Sequence, residues 1–505
     1  MKLFSARQIP YALLALVVVA VLMRLPALLH DGLWRDGAYL YVDFSAPTLH
    51  EAFRRITETE WHPPLYFILA YLWTALVGIS ERSLTLLPFL ISVATIPVVY
   101  WFGAAAGGRA CGLAAAATCA VSPLAITYST EYLYPLAVAV FALPAWAIIL
   151  IKRDGPSTVR LVALAAATAL TVNTHYVGLF YVPALIAWVL VSERGRKSGF
   201  LISAALVAGA LTFVPWAPIF LHQQHVGLPY RPAAGMHDRA SFVVSMLLLS
   251  MPARPLYLEW ALAAVVAGGV VLAGSKIFRA RALELGAIFV AMLLCLAAAD
   301  LLQVRYAFVF EALMYVFIGW ALCATAERLR IDDPRGWRRF GAPLCAAFCI
   351  LFLVGDVQSA VRSTRLPKSG IRTFAAAEPP NPNTLYVAAP DYMAATLAFY
   401  FRGTPARILG FARLQDPEIF RLDGYVSLWS DPTVVDRAIN AVAREGRGYR
   451  YLDVVVNNGA RNIGQIPYGK TQEFLRRLEA RYRILRKTIY DGRIEPVTVY
   501  HLVLE

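Results

Sequence analysis

Charged residues are scarce in this chain of 505 residues. They make up 16% of the sequence, whereas 59% of the residues are hydrophobic, and an average soluble protein carries about 25% charged residues. This composition excludes an ordinary soluble globular protein. Together with the positive mean hydropathy of +0.56, it indicates several apolar segments, each long enough to cross a hydrocarbon core about 30 Å thick as a helix.

Cysteine is also sparse, and its positions exclude a disulfide framework. All six cysteines lie within apolar stretches, and none lies in a hydrophilic segment where disulfides could staple a small fold. They are Cys111, Cys119, Cys295, Cys323, Cys345 and Cys349. We interpret them as small packing residues.

Eleven apolar runs have the length of a membrane-crossing helix. They lie at about 9–29, 84–103, 107–125, 131–151, 158–174, 176–191, 200–220, 256–275, 284–302, 306–326 and 341–356. The first run follows Lys2 and Arg7 as in a signal peptide, but it is too long for one, and we interpret it as a retained span. A further run, 63–79, opens with two prolines and is joined to the next run by only a short polar turn.

The basic residues predict which loops face the cytoplasm, because cationic short loops stay on that side. If 63–79 does not cross, every strongly basic turn lies inside, and if it crosses, those turns face outward. The sequence therefore predicts that 63–79 is a re-entrant or surface-lying helix. The alternative is an ordinary span that a second short span near 240–250 compensates. Because most of the cations lie in these short loops, the net charge of +14 does not indicate nucleic-acid binding.

The fall in hydropathy from Asp356 onward predicts two domains. A transmembrane domain covers 1–356, and a soluble periplasmic α/β domain covers 357–505, where strand-like runs at 385–389 and 452–456 alternate with helical runs at 433–444 and 471–481. No phosphate-binding glycine fingerprint opens a helix of this tail, so no chemistry is assigned to it. The loops 30–62, 126–130, 172–175, 221–255 and 303–305 share the outer side with the tail.

An acid, an imidazole and aromatic rings occur together in the first outer loop. Asp36 lies between Trp34 and Tyr39, and the loop ends at His62. A carboxylate partly withdrawn from water has a raised pKa, which suits a general base acting on a sugar hydroxyl. The alternative is that Asp36 pairs with Arg35 or only solvates the loop.

Other outer segments add groups of the same kinds. Glu131 lies at the start of a span, where ionisable residues are costly and usually functional, or where the helix dipole alone favours an anion. His175 adds an imidazole that serves a ligand or a buried hydrogen bond. Arg305 could grip a phosphate bidentately or snorkel to the lipid headgroups. The neighbouring phenols are Tyr66, Tyr128, Tyr176 and Tyr306.

A protein-held metal site has little support in the sequence. All eight histidines fall on the predicted outer side. His222 and His225 could share a helical face, but no His-Glu-x-x-His pattern is present. The sequence therefore predicts no metal ligands, and it leaves open whether the reaction needs Mg²⁺ or Mn²⁺.

In order and spacing, these segments resemble the family 39-like glycosyltransferases of the GT-C superfamily, whose relatives include protein O-mannosyltransferases and aminoarabinose transferases of lipid A. The segments that carry the resemblance lie between about 9 and 326, and they are Trp34-Arg35-Asp36-Gly37-Ala38-Tyr39, His62-Pro63-Pro64-Leu65-Tyr66, Tyr128-Ser129-Thr130-Glu131, Thr174-His175-Tyr176 and Arg305-Tyr306. The resemblance implies an α-helical polytopic fold of about 11–13 transmembrane helices in a bacterial inner membrane.

The same resemblance implies a reaction. A sugar is transferred with inversion from a polyprenyl-phosphate donor to a lipid, glycan or protein acceptor on the periplasmic face, with Asp36 as general base and Arg305, with His62, neutralising the departing phosphate. The family's usual pattern has a second acid after the aspartate, whereas this chain has Gly37, which raises the importance of Glu131 or Asp43. Glu131 is therefore expected to be a catalytic residue together with Asp36. The remaining imidazoles and phenols are implied to bind the substrates.

Two alternatives remain at this point. A transporter or flippase for a lipid-linked substrate needs charged residues near the bilayer midplane and internal repeats, and the sequence shows neither. An inactive family member that acts in envelope polysaccharide assembly keeps the fold without the reaction, and Gly37 favours it.

Overall fold

The structure is a computed structural model. It describes residues 7–131, 142, 144–149, 156–192, 197–226, 312–320, 365–414, 416–419, 424–457 and 465–504. The predicted spans 256–275, 284–302 and 341–356, much of 131–151 and 306–326, and the predicted domain boundary at 356 lie outside these residues.

The first part of the chain is helical throughout its described residues. Its helices are α1 (Ile9–His30), α2 (Arg35–Phe44), α3 (Leu49–Thr59), α4 (Leu65–Val77), α5 (Glu81–Gly107), α6 (Arg109–Ala120), α7 (Pro123–Thr127), α8 (Thr158–Thr174), α9 (Val177–Ser192), α10 (Lys197–Leu211) and α11 (Ala217–Val226). Helical segments also occupy 144–149 and 312–320. Among the described residues, three helical stretches are long and apolar enough to cross a membrane. They are Ile9–His30, Glu81–Gly107 and Lys197–His225, and the last of these runs through α10 and most of α11.

A buried cation joins three of these helices. The guanidinium of Arg24 in α1 donates to the Ser92 hydroxyl of α5 at 2.8 Å and to the carbonyl oxygens of Cys119 and Ala120 at 2.9 and 2.7 Å. The last carbonyls of a helix have no partner within it. Arg24 therefore caps the C-terminal end of α6, which explains why α6 ends at Ala120, short of the predicted end at 125.

The C-terminal end of α1 and the N-terminal end of α5 lie on the same side of the membrane. Arg372, from the C-terminal part of the chain, donates to the carbonyl oxygen of His30 at 3.1 Å and to both carboxylate oxygens of Glu81 at 2.9 and 3.1 Å. The chain between His30 and Glu81 must then cross the membrane an even number of times. With 13 residues, α4 is only about 20 Å long, and this arrangement agrees with the predicted re-entrant or surface-lying helix.

The C-terminal part is an α/β domain, as predicted. Its strands are β1 (Thr384–Ala389), β2 (Arg407–Gly410), β3 (Tyr451–Asn457), β4 (Arg483–Tyr490) and β5 (Val497–Val503), in the order β2-β1-β3-β5-β4. The first three strands are parallel, whereas β5 is antiparallel to both of its neighbours. The predicted runs at 385–389 and 452–456 are β1 and β3.

Helices cover both faces of this sheet. They are α12 (Gly370–Ala377), α13 (Ala394–Tyr400), α14 (Tyr425–Ser430), α15 (Val434–Glu445) and α16 (Gln465–Arg481). The predicted helical runs at 433–444 and 471–481 correspond to α15 and to the second half of α16. One apolar core includes Trp429, Val435 and Phe474, and the other includes Phe374 and Leu397.

Candidate active site

Asp36 lies in the first turn of α2, at the surface where the membrane part meets the C-terminal domain. Its Oδ1 atom is 2.8 Å from Nε of Arg35, and only 9% of the residue is exposed. The Arg35 guanidinium lies over the rings of Trp34 and Tyr392, 5.2 and 5.0 Å from their centroids. Burial lowers the pKa of Arg35, but Asp36 and the two nearby tyrosines raise it above its ordinary value. The ion pair with Arg35, which is the alternative role of Asp36 in the sequence, is therefore present.

A pair of acidic residues, Asp43 and Glu60, is buried next to Asp36. Asp43 lies seven residues further along α2, so it shares a helix face with Asp36, and the Thr59 hydroxyl donates to its Oδ1 at 3.2 Å. Burial raises the pKa of Asp43 to about 7, although the Thr59 hydroxyl and Arg55 lower it. The pKa of Glu60 is also well above its ordinary range, because it is buried and because Asp43 and Asp36 repel its charge.

Two imidazole rings lie beside this pair. The rings of His62 and His175 are 5.1 Å apart between centroids, and Nδ1 of His62 is 4.0 Å from Oε2 of Glu60. His175 ends α8, and its Nδ1 accepts the backbone N–H of Val177 at 2.9 Å. In the neutral His175 ring, the proton is therefore on Nε2.

Tyr176 belongs to the same polar chain. Its hydroxyl accepts the indole N–H of Trp216 at 2.9 Å and donates to the side-chain oxygen of Gln223. Gln223 in turn donates to the carbonyl oxygen of Glu60 at 2.6 Å. The segments around His62 and His175, together with α11, thus meet at the acidic pair, on the side of the membrane where Asp36 lies.

Glu131 lies in a neighbouring cluster of charges. The Trp34 indole donates to its Oε2 at 2.9 Å, and Nζ of Lys368 is 3.1 Å from its Oε1. Lys368 is fully buried, lies 3.8 Å from Oδ2 of Asp31 and donates to the carbonyl oxygen of Thr130 at 3.0 Å. Both oxygens of Glu131 therefore have protein partners.

The C-terminal domain also reaches this site, which no motif in the sequence indicates. Tyr392 follows β1, its carbonyl oxygen accepts the Tyr39 hydroxyl at 3.0 Å, and its ring lies against Arg35. The carboxylate of Glu495 accepts the hydroxyl of Ser369 at 2.7 Å and lies within electrostatic reach of Arg35 and Asp36. These residues lie far from the motifs in the chain, and only the fold brings them to α2.

The other predicted site residues lie as follows. Tyr66 is buried in the first turn of α4, within electrostatic reach of Glu131. Tyr128 packs with Leu124 and Ile91 in a separate small cluster. Arg305 and Tyr306 lie outside the described residues.

The residues described by the structure include no group of three histidine, cysteine, aspartate or glutamate side chains that could hold a metal ion. His222 and His225 are both exposed on α11. The imidazoles that do come together, His62 and His175, belong to the polar chain around Glu60.

Comparison with known proteins gives the family context of this geometry. A family model described as "Dolichyl-phosphate-mannose-protein mannosyltransferase" matches residues 61–222, about a third of the chain. No curated protein sequence matches. Among solved structures, ArnT from Cupriavidus metallidurans in the apo state matches with a TM-score of 0.61 and 14% identity over 96% of this chain and 97% of ArnT.

Two further structures share the architecture. The apo oligosaccharyltransferase of Archaeoglobus fulgidus has a TM-score of 0.57 and 12% identity, over 94% of this chain and 72% of that chain. The arabinofuranosyltransferase AftD from Mycobacteria has a TM-score of 0.52 and 15% identity, over 99% of this chain and 40% of AftD. The chain has the GT-C glycosyltransferase fold. The resemblance to the family 39-like enzymes is thereby confirmed, and the chain is a multi-pass membrane protein with a C-terminal α/β domain.

Proposed function

We propose that this GT-C protein is an integral membrane glycosyltransferase that moves a sugar from a polyprenyl-phosphate donor to a hydroxyl of a lipid, glycan or protein acceptor. The observation that carries the proposal is the buried Asp36 carboxylate, which lies near Glu60 on the side of the membrane shared by the C-terminal domain. Similar structures contain such carriers: one of ArnT is bound to undecaprenyl phosphate, and one of archaeal AglB is bound to a dolichol phosphate.

The proposed chemistry is a single displacement. The acceptor oxygen forms a bond to the anomeric carbon, the bond between that carbon and the phosphate oxygen breaks, and its electron pair leaves with polyprenyl phosphate. Asp36 accepts the proton of the acceptor hydroxyl. In-line attack inverts the anomeric carbon, and no covalent intermediate forms. The proposed side is the periplasmic face of a bacterial inner membrane. With this orientation the basic loops lie on the cytoplasmic side, as the positive-inside rule expects.

The family pattern has a second acid where this chain has Gly37. We propose that the acidic pair of Asp43 and Glu60 supplies it. Asp43 and Glu60 lie close enough to influence each other's ionisation, and Asp36 influences that of Glu60. They are the described carboxyl groups that best supply a second acid beside Asp36. Glu131, whose two oxygens bind Trp34 and Lys368, holds the loop together in this proposal.

The departing phosphate needs positive charge or hydrogen-bond donors. His62 lies beside Glu60 and His175, and we propose that it donates to the leaving phosphate. Arg305 is proposed to bind the leaving phosphate together with His62. The proposed substrate-binding phenols are Tyr66, Tyr128, Tyr176 and Tyr306.

The test uses the full chain, purified into nanodiscs and supplied with a panel of undecaprenyl-phosphate-linked hexoses and pentoses, with octyl glycosides as acceptors. We expect release of undecaprenyl phosphate, and we expect Asp36→Asn to reduce its rate by about 100-fold or more, as loss of a general base does. Glu58→Gln, an exposed carboxyl in α3, is the matched control and keeps the rate. Wild-type protein that releases no carrier from any donor, or a fully active Asp36→Asn variant, contradicts the proposal.

A further inference from the structure

The C-terminal domain holds both ends of the turn that carries Asp36. The Glu495 carboxylate is close enough to Arg35, the first residue of α2, for the charge of Arg35 to lower its pKa. Tyr392 contacts the same turn from a second direction, since its ring lies 5.0 Å from the Arg35 guanidinium and its carbonyl oxygen accepts the Tyr39 hydroxyl.

Glu495 is itself rigidly held. Its side chain accepts the Ser369 hydroxyl at 2.7 Å, its backbone N–H donates to the carbonyl oxygen of Lys368 at 2.9 Å, and its carbonyl oxygen accepts the N–H of Gly370 at 2.8 Å. Only 2% of the residue is exposed. Burial raises the pKa of Glu495 to about 7, while Arg35 lowers it. Its carboxyl group is thus held within electrostatic reach of Arg35.

A hydrogen bond within the C-terminal domain also holds the Tyr392 side chain in place. Its hydroxyl accepts the side-chain amide of Asn457 at 3.1 Å, and only 3% of the residue is exposed. Asn457 ends β3 and Tyr392 follows the end of β1. The carboxyl ends of these adjacent parallel strands therefore face α2, at the position where open α/β sheets place their functional contacts.

We propose that Glu495 and Tyr392 are positioning residues for the transfer, which hold Arg35 and thereby aim the Asp36 carboxylate at the acceptor hydroxyl. The proposal rests on the proposed function, and it gives the C-terminal domain a part in the reaction. A misplacement of about 1 Å is enough to slow an enzymatic step by about 100-fold. Weakening the hold on α2 will therefore lower kcat while the lipid donor still binds.

The experiment compares pairs of variants in the nanodisc assay. Tyr392→Leu removes the ring over Arg35, whereas Tyr392→Phe keeps it. Glu495→Ala removes the side chain beside Arg35, whereas Glu495→Gln keeps its length and an acceptor for the Ser369 hydroxyl. We expect the first member of each pair to lose about tenfold in kcat, with the donor KM changed less than about twofold, and the conservative partner to stay within about twofold of wild type.

The control is Tyr490→Leu, the same substitution in the same domain. The Tyr490 ring packs on Phe374 and its hydroxyl donates to Glu378, so the substitution lowers Tm and leaves kcat unchanged if positioning is the cause. The inference is overturned if Tyr392→Leu and Glu495→Ala keep the wild-type kcat, or if Tyr490→Leu lowers kcat equally. Should Tyr392→Leu not fold, the Glu495 pair decides. Active wild type with an inactive Asp36→Asn variant preserves the proposed function in either case.

Discussion

The carboxyl groups of Asp43 and Glu60 are the most costly buried charges in the described part of the outer loop. Removing an ionised carboxylate from water costs several kcal/mol unless it is paired. The nearest cation, Arg55, binds Glu51 and the carbonyl oxygen of Val42. The pair therefore keeps its protons to a higher pH than free carboxyl groups do.

This cost predicts how stability depends on pH. The pKa of Asp43 is raised to about 7 in the folded protein, so the unfolded chain gives up the proton first, and stability falls as pH rises from about 4 to about 7. Asp43→Asn removes this contribution, which is at most about 4 kcal/mol. We expect Tm of the variant to exceed that of wild type at pH 8 and to equal it near pH 4.

The measurement is thermal unfolding in detergent micelles across this pH range. The exposed Asp436, which pairs with Arg477 on the surface, provides the control Asp436→Asn, whose Tm follows the wild-type curve. An Asp43→Asn curve parallel to that of wild type would show that the buried carboxyl has an ordinary pKa.

At the scale of single residues, the types of residue in the site could be predicted from the sequence, whereas most of their contacts could not. The ion pair of Asp36 with Arg35 was predictable because the two residues are adjacent. The importance of Glu60 was not, since a glutamate after a loop helix is usually solvated, and only burial beside Asp43 distinguishes it. Lys368 and Glu495 carry no local signal, because their partners lie hundreds of residues away.

At the scale of elements, one segment of the C-terminal domain joins the membrane helices. Lys368 binds Glu131 and lies near Asp31, while Arg493 is 3.0 Å from Oδ2 of Asp31. Gly32, with a φ of +68°, allows the chain to turn where any Cβ atom would meet the Arg372 side chain at 2.5 Å. Two acids of the membrane part thus face two cations of the tail.

Removal of one cation is expected to destabilise this junction. Lys368→Met leaves Glu131 and Asp31 with reduced compensation, and the loss of one partner from a buried ion pair costs about 3–5 kcal/mol. We expect a clear fall in Tm and faster proteolysis of the tail. The double variant Lys368→Met with Glu131→Gln should recover part of the loss.

Lys487→Met serves as the control for this experiment, because Lys487 is an exposed lysine of β4. Its effect should stay within about 0.5 kcal/mol. If Lys368→Met were as stable as Lys487→Met, the cluster would not hold the two parts together.

The short helix α4 gives a test of topology. His50 precedes α4, Arg82 follows it, and Arg109 lies at the other end of α5, all exposed to solvent. In a background without native cysteines, a membrane-impermeant thiol reagent should label His50→Cys and Arg82→Cys in intact cells, and Arg109→Cys only after permeabilisation. If α4 crosses the membrane, His50→Cys and Arg82→Cys will label on opposite sides.

For the whole molecule, hydropathy and charge predicted the broad plan. Apolar runs predicted α1, α5, α8 and α9 because a membrane span is encoded locally, by length and composition. The α/β character of the tail was predictable from β1 and β3, whose residues are buried and apolar. The strand β4 was harder to recognise, since most of its residues are exposed and they include Arg483, Arg486 and Lys487.

The relation between the two parts could not be predicted in the same way. Docking of the tail on α2 depends on buried charges and ring contacts that are separated widely in sequence, and no pattern within one segment encodes them. No sequence motif indicates chemistry in the tail. The contact of Tyr392 with Arg35, and the position of Glu495 within electrostatic reach of Arg35, now give it a proposed part in catalysis.

The charge cluster at Lys368 also sets an order of events during synthesis. Thr130 and Lys368 are 238 residues apart, which at 5–20 residues per second corresponds to roughly 10–50 s of translation. Throughout that interval, Asp31 and Glu131 have left the ribosome without their later cations. The surface that holds Asp36 is therefore completed only when the last part of the chain is made, so that a prematurely ended chain inserts into the membrane with its acidic cluster uncompensated.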